Sequence, residues 1–376
     1  MKILADQNIP CVADAFADLG QVRLMPGRDI RRNHLQDYRC LLTRTVTRVN
    51  SELLDGSAVE FVGTATIGTD HIDLQFLKSA GIGCSNAAGC NAEAASEYVV
   101  SGLFALAQRR NLDPFSLRAG IVGFGNVGSR LVHKLEILGI ECLVNDPPLQ
   151  ESGDKRRDWV DLDRILRQCD FISLHTPLTK SGPYPTFHLL NDRGLQSMRR
   201  DCLLVNAARG EIVDNGALLA VLQRREDLTV FLDTWENEPL VNRELLRRVD
   251  LATPHIAGYS VEGRLRGTQM ILDAACRHFG LESGWHMSQQ LPPRRNIGTG
   301  IESWSELFGR HCNIWRDHDA FVAAAQIDDA AFAAHFDGLR RVYPDRLEYD
   351  RFFINAADTA LPSPTLRELG FQVRSL

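Results

Sequence analysis

The chain has 376 residues, a length that indicates two or three domains of about 150 residues each. Hydrophobic residues make up 44% and charged residues 24% of the chain, which is typical of folded globular proteins and excludes a mostly disordered chain, a coiled coil or a collagen-like repeat. The formal net charge of −6 gives no broad attraction to a phosphate backbone and argues against general nucleic-acid binding.

Targeting and metal-binding signals are weak in this sequence. There is no run of about 18 apolar residues, so no membrane span is expected. The stretch that carries Lys2 and Asp6 is followed by no long apolar run, and we interpret it as a first strand rather than a signal peptide. The nine scattered cysteines form no Cys-x-x-Cys pair and are typical of reduced core thiols. We therefore expect a cytoplasmic protein with no metal site.

The first 90 or so residues predict a small α/β unit with a parallel sheet. Strands are expected at Lys2–Ala5, Cys40–Thr43 and Phe61–Thr64, and a helix at Cys11–Asp18. Residues Asn91–Arg109 are apolar and rich in alanine, which predicts a buried helix that connects two domains.

A doubly wound sheet is predicted from residue 119 onward. Its strands and helices are expected at Ala119–Gly123, Val127–Leu138, Ile140–Asn145, Phe171–Leu174, Leu203–Asn206, Asn215–Arg224 and Thr229–Asp233. A helix at Val261–Phe279 is expected to pair with the helix that begins at Asn91. The last 80 or so residues are too aromatic to be disordered and indicate a small third domain or a partner surface.

A glycine-rich turn predicts a dinucleotide site. Gly123, Gly125 and Gly128 form G-x-G-x-x-G between a predicted strand and a predicted helix, the context that makes this motif informative. Asn126 and Val127 complete the turn, which would hold a pyrophosphate at the helix N-terminus. Asp146 ends the next strand, where a carboxylate binds the ribose hydroxyls and repels a 2′-phosphate, so NAD is favoured over NADP.

Three residues that follow later strands predict acid–base chemistry on a hydroxy acid. Arg209 suits a substrate carboxylate, His255 suits a proton acceptor, and Glu238 suits a group that orients the imidazole. Each has a plainer interpretation alone: a helix partner for the arginine, a solvated loop charge for the glutamate and a core residue for the histidine. Their joint placement at strand ends after the glycine motif favours catalysis.

Several stretches resemble the D-isomer-specific 2-hydroxyacid dehydrogenases over roughly residues 1–280. These are MKILADQNIP at 1–10, GTATIGTDHID at 63–73 and TPHIAGYSVEGRLRGT at 253–268, with YPDR at 343–346 in the tail. Thr66 and His71 stand where most of that family has Ala-Gly and Asn. The resemblance is therefore strongest to members that oxidise a phosphorylated four-carbon 2-hydroxy acid in pyridoxal phosphate biosynthesis.

The resemblance implies an architecture and further site residues. It implies an α/β fold with two Rossmann-like doubly wound domains and a small C-terminal α+β domain. Residues 1–92 with 258–285 would form a discontinuous substrate or lid domain, 93–257 the NAD-binding domain, and 286–376 a domain that makes a homodimer. Further contacts are implied for NAD at Thr176, Ala207, Asp233 and Gly258, and for the substrate at Thr45, Thr66 and Tyr259. Thr45 stands where serine is expected and keeps the hydroxyl.

The substrate phosphate needs a cation, and Arg44 at a strand end is our candidate, with Arg346 as a weaker one. Two alternatives remain open at this point. The chain is another dehydrogenase of the same fold, acting on glycerate, lactate or phosphoglycerate, or it is an NAD-sensing, corepressor-like binding protein. A third possibility makes the tail a module for hetero-oligomer assembly.

Overall fold

The computed structural model describes residues 1–375. Within that range the strands are β1 (Lys2–Asp6), β2 (Gln21–Met25), β3 (Cys40–Thr43), β4 (Phe61–Thr64), β5 (Gly83–Asn86), β6 (Arg118–Val122), β7 (Glu141–Asn145), β8 (Phe171–Leu174), β9 (Leu203–Asn206), β10 (Thr229–Leu232), β11 (Leu251–Ala252), β12 (Arg295–Asn296), β13 (Phe352–Asn355) and β14 (Gln372–Arg374). The helices are α1 (Val12–Ala15), α2 (Ser51–Leu54), α3 (Leu74–Ser79), α4 (Ala92–Arg110), α5 (Asn126–Ile137), α6 (Pro147–Glu151), α7 (Leu162–Gln168), α8 (Asp192–Ser197), α9 (Asn215–Leu222), α10 (Arg243–Arg248), α11 (Val261–Phe279), α12 (Trp304–His311), α13 (Ile314–Val322), α14 (Asp329–Arg341) and α15 (Ser363–Leu369).

The first of two compact units comprises residues 1–92 and 260–293. Its parallel sheet has the order β2-β1-β3-β4-β5, and α11 packs on β4 and β5. The Ser260 hydroxyl caps α11 by accepting a hydrogen bond from the Gly263 amide at 2.8 Å. Because all five strands run in one direction, their carboxyl ends share one edge, where Asp6, Thr43 and Thr64 are buried.

The second compact unit comprises residues 93–259 and 294–375. Its main sheet is parallel, with the order β11-β10-β9-β8-β6-β7. The chain passes from β6 to β7 on one side and then to β8 on the other, so the strand order reverses beside β6. In doubly wound sheets, ligands bind outside the carboxyl ends of the strands at such a reversal.

The C-terminal segment shares a core with the nucleotide-binding part of this unit. Phe104 of α4 lies edge-on to Phe308 of α12 with ring centroids 4.8 Å apart, and Tyr349 stacks on Phe371 at 4.5 Å. The segment contains helices and the three-stranded sheet β12-β13-β14, in agreement with the α+β content expected for it. Its aromatic side chains belong to the same buried cluster as residues of α4.

The predicted α/β class with two Rossmann-like parallel sheets is confirmed. The sequence reading missed β2 and β5, which are the two edges of the first sheet. Their side chains are largely exposed or half-buried, so these strands lack the apolar run that marks an interior parallel strand. No helix within residues 1–375 is long and apolar enough to cross a membrane.

Candidate active site

The glycine turn between β6 and α5 has the shape of a phosphate-binding turn. Gly123 has φ +93°, and a Cβ there would lie 2.7 Å from the carbonyl carbon of His175. A Cβ on Gly128 would lie 2.0 Å from the Gly123 oxygen, so both positions need glycine for the protein's own packing. A Cβ on Gly125 would meet nothing within 4 Å among the described residues, which leaves open space where the turn would receive a pyrophosphate.

Asp146 lies beside this turn at the end of β7. One carboxylate oxygen accepts a hydrogen bond from the Phe124 amide at 2.8 Å, and the other accepts from the Leu149 amide at 3.1 Å. The carboxylate is therefore held at the predicted ribose position and has lone pairs left for further donors.

The other predicted cofactor residues lie at the same edge of the sheet. Asn126 and Val127 open α5, Thr176 follows β8, Ala207 follows β9, and Asp233 and Gly258 follow β10 and β11. The Thr176 hydroxyl is buried and has no hydrogen-bond partner within residues 1–375. A buried hydroxyl without a partner costs free energy unless a ligand supplies one. Together with the open glycine turn and the Asp146 carboxylate, it fits a dinucleotide such as NAD.

Glu238 and His255 form a hydrogen-bonded pair after neighbouring strands β10 and β11. The Glu238 Oε2 atom lies 2.7 Å from Nδ1 of His255, and its Oε1 atom accepts a hydrogen bond from the Trp235 amide at 2.9 Å. Burial favours the neutral carboxyl, but the charge of His255 and these hydrogen bonds outweigh it and hold the pKa of Glu238 below its usual value. An ionised carboxylate at Nδ1 leaves Nε2 as the ring nitrogen that can take a proton.

Asp233 fixes the loop that carries His255. Its carboxylate accepts hydrogen bonds from the Thr253 hydroxyl at 2.6 Å and from the amides of Ile256 and Ala257 at 2.9 and 3.0 Å. His255 has φ +57°, a left-handed conformation that is costly for a residue with a Cβ. The buried Asp233 carboxylate compensates for that cost by satisfying the loop amides.

Arg209 follows β9, the strand next to β10, so its loop lies at the same sheet edge as the Glu238–His255 pair. The Asn206 side chain donates to the Arg209 carbonyl at 2.8 Å, and the Arg209 Nη1 group donates to the Ala208 carbonyl at 2.8 Å. Gly210 allows this loop to pack closely, because a Cβ there would lie 2.0 Å from the Trp235 carbonyl group. The three predicted catalytic residues thus belong to one compact unit.

The predicted substrate residues Arg44, Thr45 and Thr66 lie in the other compact unit. They follow the adjacent strands β3 and β4, at the edge where carboxyl ends meet. The hydroxyls of Thr64 and Thr66 are 2.8 Å apart, and His71 Nε2 lies 3.1 Å from the Thr64 hydroxyl. Arg44 reaches the Asn8 carbonyl at 3.4 Å.

Arg346, the weaker candidate for binding the substrate phosphate, is a buried residue and not a surface arginine. It is 8% exposed, donates to the carbonyls of Ala257 and, at 3.3 Å, Ala94, and lies 4.6 Å from the centroid of the Tyr98 ring. Its Nη2 group donates inside its own unit, close to the His255 loop, while its Nη1 group is buried without a hydrogen-bond partner within residues 1–375. Sequence reasoning missed this structural role because arginines are common throughout the tail.

One further cluster, His188 with Asp214 and Glu236, has the composition of a cation site. His188 Nε2 lies 2.6 Å from Glu236 Oε1 and Nδ1 lies 3.5 Å from Asp214 Oδ2. These contacts pair the histidine with both carboxylates and give the cluster an explanation that needs no metal.

Comparison with known proteins gives consistent matches. Residues 87–257 match the family described as D-isomer specific 2-hydroxyacid dehydrogenase, NAD binding domain. The erythronate-4-phosphate dehydrogenase of Stutzerimonas stutzeri is 46% identical over 93% of each chain, and that of Escherichia coli strain ATCC 8739 is 42% identical over 99% of this chain and 98% of its own. Among solved structures, the NAD⁺-bound 3-phosphoglycerate dehydrogenase of Entamoeba histolytica is 23% identical with a TM-score of 0.63, covering 74% of this chain and 95% of its own. The D-lactate dehydrogenase of Aquifex aeolicus is 23% identical with a TM-score of 0.59, covering 74% and 96%.

Proposed function

The chain belongs to the D-isomer-specific 2-hydroxyacid dehydrogenase family, and we propose that it oxidises 4-phospho-D-erythronate with NAD to (R)-3-hydroxy-2-oxo-4-phosphobutanoate, a step of pyridoxal 5′-phosphate biosynthesis. The relatives named for this substrate match nearly the full length of the chain. The predicted resemblance, enzyme class and NAD cofactor are confirmed by these matches. The main structural support for the mechanism is the 2.7 Å contact between Glu238 and His255. This pair lies at the same edge of the sheet as the glycine turn.

In the proposed reaction, His255 is the base. Its Nδ1 is held by Glu238, so its Nε2 accepts the proton of the substrate 2-hydroxyl. Glu238 stays ionised at neutral pH because its pKa is below the usual value, and it stabilises the imidazolium that forms. Bound NAD supplies the acceptor for the hydride that leaves C2.

The remaining residues orient the substrate. Arg209 offers a planar guanidinium that binds the C1 carboxylate through two parallel hydrogen bonds. The hydroxyls of Thr45 and Thr66, the Tyr259 side chain and the Arg44 guanidinium are proposed to contact the substrate. The link from His71 through Thr64 to Thr66 supports this by restricting the rotation of the Thr66 hydroxyl.

We further propose a cytoplasmic homodimer that forms through the C-terminal segment. All nine cysteines are free thiols, which fits a reducing compartment. The segment exposes two large apolar residues, Ile327 and Val342, and Val342 is 71% exposed. Light scattering on the pure chain measures the oligomeric state, and a monomer would contradict the dimer.

A substrate screen tests the proposed reaction by following NADH absorbance. The acids are 4-phospho-D-erythronate, D-erythronate, D-glycerate, 3-phospho-D-glycerate and D-lactate. We expect kcat/KM for 4-phospho-D-erythronate to exceed that for each unphosphorylated acid by about 100-fold or more, since groups that bind the phosphate are left unpaired by acids that lack it. It should also exceed the value for 3-phospho-D-glycerate, whose chain is one carbon shorter. A higher value for another acid would assign the chain to that substrate, and no turnover of any acid would favour the NAD-sensing protein.

The matched variants for this screen are His255→Gln and His188→Gln. Both histidines are half-buried and hydrogen-bonded to a glutamate in the same compact unit. We expect His255→Gln to lose about 100-fold or more of kcat and His188→Gln to stay within about 3-fold of the wild type. Equal losses would contradict the role of His255 as the base.

A further inference from the structure

Arg340, in the last turn of α14, carries a guanidinium with no acidic partner. Its Nε atom is buried and lacks a hydrogen-bond partner within residues 1–375, and none of the ion pairs across that range includes it. Two other tail arginines differ: Arg310 pairs with Glu306, and Arg316 pairs with Asp317. Arg346 also has a buried nitrogen without a partner, but its Nη2 group donates to two backbone carbonyls. The Arg340 guanidinium carbon instead lies 5.6 Å from the ring centroid of Phe336 and 5.9 Å from that of Tyr259.

The Arg340 guanidinium lies near residues of the candidate active site. Tyr259 is four residues after His255, in the same compact unit as α14. The positive charge of Arg340 is also among the influences that lower the pKa of Glu238, after the opposing effect of burial and the larger effect of His255. The guanidinium therefore lies within electrostatic reach of the Glu238–His255 pair and of a residue proposed to contact the substrate.

Aromatic faces stabilise a guanidinium but leave its N–H groups unused. A half-buried guanidinium whose donors have no internal acceptor is suited to an anion that arrives with the substrate. Arg209 already suits the C1 carboxylate. The second anionic group of a four-carbon substrate is a phosphate of about two negative charges, at the opposite end of the molecule.

We propose that Arg340 binds the phosphate of the substrate and sets the preference for phosphorylated over unphosphorylated acids. This inference rests on the proposed function, because it assumes a phosphorylated hydroxy acid in the same site. It gives the C-terminal segment a direct part in substrate selection. It also assigns the phosphate to a residue that sequence reasoning missed, since α14 contains Arg340 and Arg341 in equivalent local sequence and only the fold separates them.

The test compares Arg340→Gln with Arg341→Gln, its exposed neighbour on the same helix. Each variant is measured with 4-phospho-D-erythronate and with D-erythronate. We expect Arg340→Gln to lower kcat/KM for the phosphorylated acid by about 10- to 100-fold and for D-erythronate by less than about 3-fold, because only the first loses a charged hydrogen bond. Arg341→Gln should change both values by less than about 3-fold.

Arg340→Lys should recover part of the lost selectivity, because it keeps the charge but not the two-pronged geometry. Thermal unfolding of each variant verifies that the fold is intact. An equal loss on both acids, or an unchanged ratio between them, would overturn the proposal, and an Arg44→Gln variant that alone lowers the ratio would move the phosphate to Arg44. If the wild-type chain turns over neither acid, it is the proposed function that fails, and this result is distinct from an active enzyme whose selectivity ignores Arg340.

Discussion

The substitution Glu238→Gln tests the charge behind the proposed base. Glutamine keeps one oxygen that can still accept from the Trp235 amide, but it places an NH2 group instead of the second carboxylate oxygen at His255 Nδ1. The substitution therefore removes both the charge and the acceptor that holds the imidazole. Two unit charges 4 Å apart attract by about 4 kcal/mol at an effective dielectric constant of about 20. The side chains of Glu238 and His255 are 21% and 33% exposed, and solvent screening halves that value to about 2 kcal/mol. We therefore expect kcat to fall by about 30-fold.

The assay is steady-state NADH formation from 4-phospho-D-erythronate between about pH 6 and pH 9. The pKa of Glu238 lies below its usual value, so its charge is complete over this range and the wild-type enzyme carries the full effect throughout. Glu236→Gln is the matched control, because that carboxylate contacts His188 at 2.6 Å instead of His255. A Glu238→Gln enzyme within about 3-fold of the wild type, or an equal loss in Glu236→Gln, would refute charge stabilisation by Glu238.

Three further outcomes are expected. Arg209→Lys keeps the charge but loses the planar fork, so kcat/KM for the phosphorylated acid should fall by about 100-fold, and near-normal efficiency would contradict the carboxylate role. Asp146→Ala removes the group that repels a 2′-phosphate, so the ratio of kcat/KM with NAD to that with NADP should fall at least about 10-fold; an unchanged ratio would contradict the ribose role. Burial, aided by the charge of Arg346, lowers the pKa of His311 to about 3, below the unfolded value near 6.5, so stability is lost as pH falls through that window. Denaturant unfolding at several pH values measures this loss as the slope of the free energy of unfolding against pH. In His311→Gln that slope should be smaller by up to about 1.4 kcal/mol per pH unit, and an unchanged slope would contradict the role of His311.

The interior of the fold was predictable because its elements are strongly apolar. Cys40–Thr43, Phe61–Thr64, Phe171–Leu174 and Leu203–Asn206 have the predicted bounds, since parallel strands covered on both faces form continuous buried runs. The edge strands β2 and β5 gave no such signal. The packing of the C-terminal segment on α4 could not be predicted either. The sequence shows that Phe308 is apolar, but it does not show which helix Phe308 packs against.

The parts of the candidate site that belong to a motif of fixed spacing could be predicted from the sequence. The glycine turn and Asp146 have fixed spacing, and the structure brings Glu238 and His255 within hydrogen-bond distance across 17 residues of sequence. The structural role of Asp233 was not visible, because a carboxylate that binds loop amides has the same one-letter pattern as one that faces a ligand. Arg340 and Arg346 could not be told apart from surface arginines, since their environments depend on contacts with Tyr259 and Ala257 that are distant in sequence.

The C-terminal segment also contacts the loop that carries the proposed base. Within seven residues, Arg340, Tyr343 and Arg346 all reach residues 257–259: two of them contact the Tyr259 ring, and the third donates to the Ala257 carbonyl. The buried charge of Arg346 is expensive unless its acceptors stay in place, so these contacts favour one arrangement of the loop that begins at His255. The same arginine also binds the Ala94 carbonyl in the first turn of α4. A movement of residues 340–346 relative to α4 must then disturb the loop of the proposed base. Phe332 and Phe336 of α14 pack on Phe321 in the buried interior, and this packing resists that movement.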